Sequence, residues 1–356
     1  MGEKKRKYIV PLSICFVIGY LFLASRPLET EPALSPDWTV SLDETAPPQE
    51  GFSPAMTIPF FGATHFGYVD EDGTLLLCKE QGDRLSIAPF AWSRYNAHAK
   101  EAEIIHTDTL QSTKSALPGY PWLADDRMWI LAPEQQAISL LNEDGGEAWT
   151  YHFDAPITSL DAANGILLAG LLNGTIHTLD REGTVIFSFT PGASRVEVIY
   201  GAALSPNARY MGIISGLDRQ RALLLERAGN SWKVIWHRYT DTAFRRPVQL
   251  HFLNGGRQLL HEDAGGISIV DSARRKSQYI PLSGTLLSLT DANDDALIFV
   301  LTGIDQNTRE LTGIKNGESI FYQSRWSSDN SYLARQGQHL VLGGTHSLAG
   351  ILLEGK

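Results

Sequence analysis

Short apolar runs broken by glycine-containing turns dominate the pattern of hydrophobic and polar positions along the chain. The stretch Gly165–Phe189 reads GILLAGLLNGTIHTLDREGTVIFSF and holds three such runs. Its breaks carry Asn173-Gly174 and Asp180-Arg181-Glu182-Gly183, which are typical of tight hairpin turns because these residues tolerate positive φ. The stretch therefore predicts a short antiparallel meander. Because such a meander cannot bury both of its faces alone, further copies are expected in the chain.

The unit recurs at a spacing of roughly 40 residues, which is the period of propeller blades. Asp126–Phe153 reads DRMWILAPEQQAISLLNEDGGEAWTYHF and matches Gly165–Phe189 run for run. Five looser units give seven in all. They are Gly62–Trp92, Ser205–Tyr239, His251–Leu282, Asp291–Trp326 and Asn330–Lys356. The interval between the first two units is longer, and residues 93–120 are interpreted as an insertion.

The two ends of the repeat array predict how the ring closes. The last unit ends after Leu348–Leu353, which reads as a third strand, and an isolated strand with a tryptophan occurs at residues 37–42. Closure of the last blade by this strand removes an exposed sheet edge. The sequence therefore predicts an all-β fold, a seven-bladed β-propeller of four-stranded antiparallel blades over residues 55–356.

The stretches NGILLAGLLNGTIHTLDREGTVIFSF and LNEDGGEAWTYHF resemble the repeat of quinoprotein-type (PQQ-like) β-propellers. SPNARYMGIISG is similar to the turns of WD40-like and TolB-like propellers. Quinone-dependent members hold their cofactor with a vicinal cysteine pair, whereas this chain has only Cys15 and Cys78. Because this pair is missing, the resemblance implies membership of a non-enzymatic branch of the family that holds no cofactor. Its likeness to PQQ-like propellers that assist outer-membrane protein assembly makes an envelope-assembly role one expectation.

The N-terminal segment predicts a membrane anchor. Residues 1–7 are basic, and Tyr8–Ala24 contains no charged residue. The positive-inside rule then keeps the N-terminus in the cytoplasm and places the propeller on the periplasmic side of the inner membrane. A signal-anchor at 8–24 with a proline-rich tether at 25–54 is the first interpretation. A cleaved signal peptide and a lipoprotein signal at Cys15 are the alternatives.

Charge and motif composition argue against nucleic-acid binding, calcium binding and catalysis. The formal net charge is −10, and no basic stripe of a nucleic-acid binder is present. Arg274-Arg275-Lys276 is interpreted as a solvated turn, and Asp70-x-Asp72-Gly73 as a hairpin turn rather than a calcium loop. His251 and His261 fall on adjacent predicted strands and are interpreted as packing or surface residues. No catalytic, metal-binding or cofactor-binding residue is predicted.

Aromatic residues supply the remaining candidates. The recurring tryptophans are expected to pack between blades. Tyr95, Tyr120 and Trp122 lie in or beside the predicted insertion, and aromatic residues in loops often anchor interfaces. The sequence thus predicts a non-enzymatic scaffold that binds protein partners in the cell envelope through these three residues. The alternative is a propeller enzyme or small-ligand binder with a metal or glycan in its central channel.

Overall fold

Small antiparallel sheets arranged around one axis account for the described part of the chain. The computed structural model describes residues 14–20, 32–43, 51–96, 98, 100–241, 244–291, 296–329 and 332–354. Within these residues, eight sheets are present, of which seven have four strands and one has three. Each sheet is a blade of a β-propeller. The predicted propeller fold is therefore confirmed, whereas the predicted number of seven blades is wrong.

The strands follow one another around the ring in chain order, except that the first strand belongs to the last blade. The strands are β1 (Ala33–Ser41); blade 1, β2 (Ile58–Phe61), β3 (His65–Val69) and β4 (Leu75–Glu80); blade 2, β5 (Arg84–Ala88), β6 (Ala91–Tyr95), β7 (Ala102–His106) and β8 (Ser112–Ser115); blade 3, β9 (Tyr120–Ala124), β10 (Arg127–Leu131), β11 (Ala137–Leu141) and β12 (Glu147–His152); blade 4, β13 (Ile157–Ala163), β14 (Ile166–Leu171), β15 (Ile176–Leu179) and β16 (Val185–Phe189).

The second half of the ring repeats this arrangement. Its strands are blade 5, β17 (Ile199–Leu204), β18 (Tyr210–Ser215), β19 (Arg221–Ala228) and β20 (Ser231–Tyr239); blade 6, β21 (Leu250–Leu253), β22 (Gln258–Asp263), β23 (Gly266–Asp271) and β24 (Lys276–Pro281); blade 7, β25 (Thr285–Asp291), β26 (Leu297–Gly303), β27 (Thr308–Lys315) and β28 (Ser319–Ser327); blade 8, β29 (Tyr332–Gln336), β30 (His339–Gly343), β31 (Ser347–Glu354) and β1. Short 3-10 turns occur at Pro54–Met56 and Asn254–Gly256.

The first strand of each four-stranded blade lies nearest the axis, because the first strands of neighbouring blades contact one another, as β13 and β17 do. This strand order defines two faces of the ring, one at each end of its axis. The upper face carries the turns between second and third strands and the connections between blades, for example the turn at Gly174. The lower face carries the other turns of each blade, for example the turn at Gly183.

Both ends of the described chain meet in blade 8. The strand β1 contains most of the predicted strand 37–42 and pairs antiparallel with β31 from Ala33↔Glu354 to Ser41↔Ser347. Leu42 then packs with Ile58 of blade 1 and Val341 of blade 8 in one buried apolar cluster. The ring is therefore closed by pairing between sequence-distant strands and by packing across the joint.

Each contact between neighbouring blades buries its own apolar cluster, so eight clusters surround the axis. Between blades 4 and 5, for example, Leu168, Ile213 and Leu223 are fully buried. Each such side chain contributes about 1.5–3 kcal/mol relative to exposure in water. The eight clusters hold the blades in a fixed order and leave the two faces as the surfaces of variable chemistry.

The blade missed by the sequence analysis is blade 2, because its strands β7 and β8 and the end of β6 fall within the predicted insertion at 93–120. Its turns lack the glycine pattern of the other units. The turn after β7 instead uses Leu110 at φ 55 and closes with a bond from the Leu110 N–H to the His106 carbonyl. The two outer strands of this blade are also short, and β8 reads STKS. A search for glycine turns between apolar runs could not find this blade.

Two outer-strand tryptophans bind the turn of the next blade in the same way. The Trp149 indole N–H donates to the Arg181 carbonyl at 2.8 Å, and the Trp38 indole N–H donates to the Glu71 carbonyl at 2.8 Å. In the turn beneath Trp149, the Asp180 carboxylate accepts from the N–H groups of Glu182 and Thr184. The turn of one blade and the tryptophan of the preceding blade therefore form a single contact between the two blades.

The predicted membrane anchor is not found among the residues that the structure describes. The span predicted at 8–24 is described only at residues 14–20, which are helical, and its remaining residues lie outside the described ranges, as do residues 1–7. In the part of the chain that the structure describes, no helix is long and apolar enough to cross a membrane. A bilayer needs about 20 apolar residues in a helix. The described residues therefore contradict the predicted transmembrane segment, and with it the single-pass inner-membrane placement.

Candidate interaction surface

Tyr95, Tyr120 and Arg84 converge on the upper face at the junction of blades 2 and 3. Tyr95 ends β6, Tyr120 begins β9 and Arg84 begins β5, so three strand ends bring these side chains to one edge. The two tyrosine rings lie 5.8 Å apart, and the Arg84 guanidinium lies 5.7 Å from the centre of the Tyr120 ring. Both distances are typical of favourable aromatic and cation–π contacts. We call these three residues the tyrosine–arginine cluster.

A cleft of about 580 Å³ extends from Tyr95 across the upper edge of blade 2. Six charged residues of both signs line it. The residues are Asp83, Arg94, Lys100, Glu101, Glu103 and Lys114. Lys114 and Glu103 form an exposed ion pair at 3.7 Å, and exposed pairs of this kind contribute little to stability. A polar partner can therefore bind these charged side chains with little loss of stability from the broken ion pair.

The tyrosine–arginine cluster has the side-chain chemistry of a protein-binding surface. Both tyrosines are half-buried, so each side chain is partly packed and partly accessible. Burial raises the pKa of Tyr95, while the Arg84 guanidinium partly opposes this shift. The hydroxyl therefore stays protonated and can donate a hydrogen bond to a partner. Tyrosine and arginine are enriched among the residues that dominate binding energy at interfaces.

Trp122 is half-buried as well, but it packs against the apolar cluster between blades 3 and 4. It pairs with Trp129 across β9 and β10, and their rings lie 6.0 Å apart. Trp129 in turn packs edge-on against Trp149 at 5.6 Å, within the cluster between blades 3 and 4. The structure thus brings Tyr95 and Tyr120 together, whereas the ring contact of Trp122 is with Trp129. A binding role for the two tyrosines remains a prediction.

The two candidate histidines of the enzyme alternative do not face each other. His251 opposes Leu260 and His261 opposes Leu250, so the two imidazoles point to opposite faces of blade 6. His261 is buried, its Nδ1–H donates to the Glu262 carbonyl at 3.0 Å, and burial lowers the pKa of the ring. Among the described residues no group of three or more potential ligands is positioned to hold a metal ion. The Asp70 carboxylate is engaged by the N–H groups of its own turn.

Buried carboxylates on strands were missed by the sequence analysis. Glu262 and Arg246 form a bidentate pair at 2.6 and 2.8 Å beside a cavity of about 370 Å³ between blades 6 and 7. Glu310 is 2% exposed and bonds to Arg325 and Gln323. Because each carboxylate is neutralised by an arginine distant in sequence, no local motif marks these pairs. They connect strands and loops and leave no free charge for chemistry.

The closed ring of eight blades identifies the class of protein as a β-propeller. Residues 1–356 match the family model described as beta-propeller protein, and the chain belongs to that family. An uncharacterized protein of Treponema pallidum (strain Nichols) is 28% identical over 315 residues, which cover 86% of this chain and 84% of that protein. Membership of a non-enzymatic PQQ-like branch stays a prediction.

Solved structures share the fold at low sequence identity. BamB from Moraxella catarrhalis is 12% identical with a TM-score of 0.58, over 90% of this chain and 100% of that chain. A chain of the Mitotic Checkpoint Complex is 12% identical with a TM-score of 0.55, over 76% and 89%. The computationally designed Ika8 protein is 12% identical with a TM-score of 0.59, over 86% and 98%. These matches establish the fold alone.

Proposed function

We propose that this propeller is a protein-interaction scaffold whose upper face at blades 2 and 3 docks a partner protein. The observation that carries the proposal is the convergence of Tyr120 and Arg84 with Tyr95, which lines the 580 Å³ cleft. A similar propeller chain is part of the Mitotic Checkpoint Complex, which is a multi-protein assembly. The proposal includes the absence of an enzymatic activity, and the separation of His251 from His261 supports it.

The fold suits this role because binding costs less when the contact residues are already in place. Ordering one long side chain at an interface costs about 0.5–1.5 kcal/mol. Tyr95 and Tyr120 are held by each other and by strands, so little of this cost remains for them. Their rings offer apolar area, and the cleft beside them offers charges of both signs. The partner expected here is a folded protein that inserts a loop carrying aromatic and charged residues.

Affinity capture with a matched control tests the proposal. The purified chain is used to capture partners from its native cell extract, and each partner is then purified and its Kd measured. The variant Tyr95→Ala/Tyr120→Ala should weaken binding by about 30-fold or more, as expected for two hot-spot residues. Tyr279→Ala serves as the control, because Tyr279 is an exposed tyrosine on the outer strand of blade 6. It should leave Kd unchanged.

Two outcomes contradict the proposal. One is that no captured protein binds the purified chain directly. The other is that the double variant keeps the wild-type Kd while its circular dichroism spectrum shows an intact fold. The role in envelope assembly expected from the sequence stays a prediction, and the identity of the captured partner would decide it.

A further inference from the structure

A polar groove of about 950 Å³ lies on the lower face between blades 6 and 7, across the ring from the tyrosine–arginine cluster. Its volume falls in the range of ligand-binding sites, roughly 300–1,000 Å³. The groove is bounded by the turns that flank β22, β24 and β28. Its lining includes Asn254, Arg257, Gln258, Lys276 and Gln278.

Three cationic and two anionic side chains line the groove, so it is net positive in a chain whose formal net charge is −10. Arg274 lies within 4.0 Å of both Asp271 and Glu318, so its charge is largely balanced. Arg257 and Lys276 are exposed and have no ion-pair partner within the described ranges. Two unpaired cations therefore face the same groove, and they attract an anionic group.

The groove also contains a buried hydrogen-bond acceptor without a donor. Asn254 is 6% exposed; its backbone N–H donates to Asp291 at 2.6 Å, and its Nδ2 donates to Gln258 Oε1 at 2.6 Å. The Gln258 amide is itself fixed by donation to the Asn316 carbonyl at 2.7 Å. The remaining Asn254 Oδ1 is buried and finds no partner in the described structure. Buried acceptors are normally satisfied, so this oxygen marks a place for an external donor.

We propose that the groove binds an acidic peptide segment of a partner protein, distinct from the partner of the upper face. Carboxylates of the peptide pair with Arg257 and Lys276, and a peptide N–H donates to Asn254 Oδ1. An acidic peptide carries anionic groups and N–H donors together on one chain. Inorganic phosphate and sulfate present mainly acceptors and leave Asn254 Oδ1 without its donor. The groove therefore favours a peptide over a simple anion.

Fluorescence anisotropy with the purified full chain tests this proposal without any knowledge of the upper-face partner. The probe is a fluorescein-labelled hexapeptide of alternating aspartate and alanine. Wild type should bind it saturably, and Arg257→Gln/Lys276→Gln should weaken Kd by roughly 10-fold or more. Lys233→Gln/Arg245→Gln removes the same charge from exposed positions of blade 5 and the connection that follows it. This control should bind the probe like wild type.

A second pair of probes tests the role of the buried acceptor. A hexapeptide of the same sequence with N-methylated backbone amides lacks the donors and should bind several-fold more weakly to wild type. Inorganic phosphate should compete with the probe only as ionic strength predicts. The proposal is overturned if both charge variants lose binding equally. It is also overturned if phosphate displaces the probe better than sodium chloride of equal ionic strength. Loss of the upper-face interaction leaves these measurements unaffected, so the two proposals fail separately.

Discussion

Replacing Gly183 by alanine tests whether the tryptophan contact between blades contributes to stability. Gly183 has φ +79, which a residue with a side chain adopts only at a cost. A Cβ at this position would lie 2.6 Å from Cδ2 and 2.8 Å from Cε3 of Trp149. Neither distance is tolerated, so the indole must move away. Its hydrogen bond to the Arg181 carbonyl is then broken.

The expected loss of stability is the sum of three effects. The left-handed backbone costs alanine about 1–2 kcal/mol. Loss of the indole hydrogen bond costs about 1 kcal/mol, and displacement of the half-buried ring forfeits about 1 kcal/mol of its packing. Gly183→Ala should therefore lower the free energy of unfolding by about 3–4 kcal/mol.

Gly229→Ala is the matched control, because Gly229 occupies the corresponding turn of blade 5 at φ +65 with no atom within 4 Å of the added Cβ. It should cost only the backbone term, about 1–2 kcal/mol. Urea unfolding followed by tryptophan fluorescence and circular dichroism measures both variants. In a Trp149→Ala background, Gly183→Ala should cost no more than Gly229→Ala. Equal costs for the two glycine variants in the wild-type background would refute the reasoning.

Three further substitutions test other contacts of the ring. Burial raises the pKa of Asp161 from 3.8 to about 6, so the folded state holds this proton more tightly than the unfolded state. The contribution of this carboxyl to stability should be largest below pH 4 and should fall by up to about 3 kcal/mol as the pH rises through 6. Asp161→Asn should abolish this fall, as measured by urea unfolding at pH 4 and pH 7. Tyr68→Phe removes a buried hydroxyl that donates to the Ala88 carbonyl at 2.7 Å, and a thermal melt should show a loss of about 1–2 kcal/mol. Arg325→Met leaves the buried Glu310 carboxylate without its guanidinium and should cost about 2 kcal/mol; urea unfolding of Arg325→Met/Glu310→Leu should recover most of it.

The parts of the fold that local chemistry specifies were visible in the sequence. The turn at Asp180–Gly183 is fixed by its own backbone and carboxylate bonds, so its residues predict it directly. Blade 2 was missed because its turn at Leu110 is closed by backbone bonds that leave no residue signature. One unrecognised blade among eight changed the blade count while leaving the class of fold unaffected.

Sequence pattern was also insufficient to identify the candidate site. Tyr95 and Tyr120 were selected because no blade appeared to account for them, and that premise was wrong. Both lie on blade strands, and their contact arises because the end of β6 and the start of β9 meet on the upper face. The same premise selected Trp122, which packs against the buried cluster between blades 3 and 4. Sequence pattern gives the strand on which an aromatic residue lies, whereas its exposure depends on the neighbouring blade.

The two proposed surfaces occupy opposite faces and opposite sides of the ring, at blades 2 and 3 and at blades 6 and 7. Coupling between distant sites requires an element with two alternative arrangements that both sites influence. The blades between these surfaces are joined by fully buried apolar clusters such as that around Leu168 and Ile213, and close-packed interiors of this kind do not deform continuously. Binding at one surface should therefore leave the affinity of the other unchanged, so that the propeller holds two partners at a fixed separation without transmitting a signal between them.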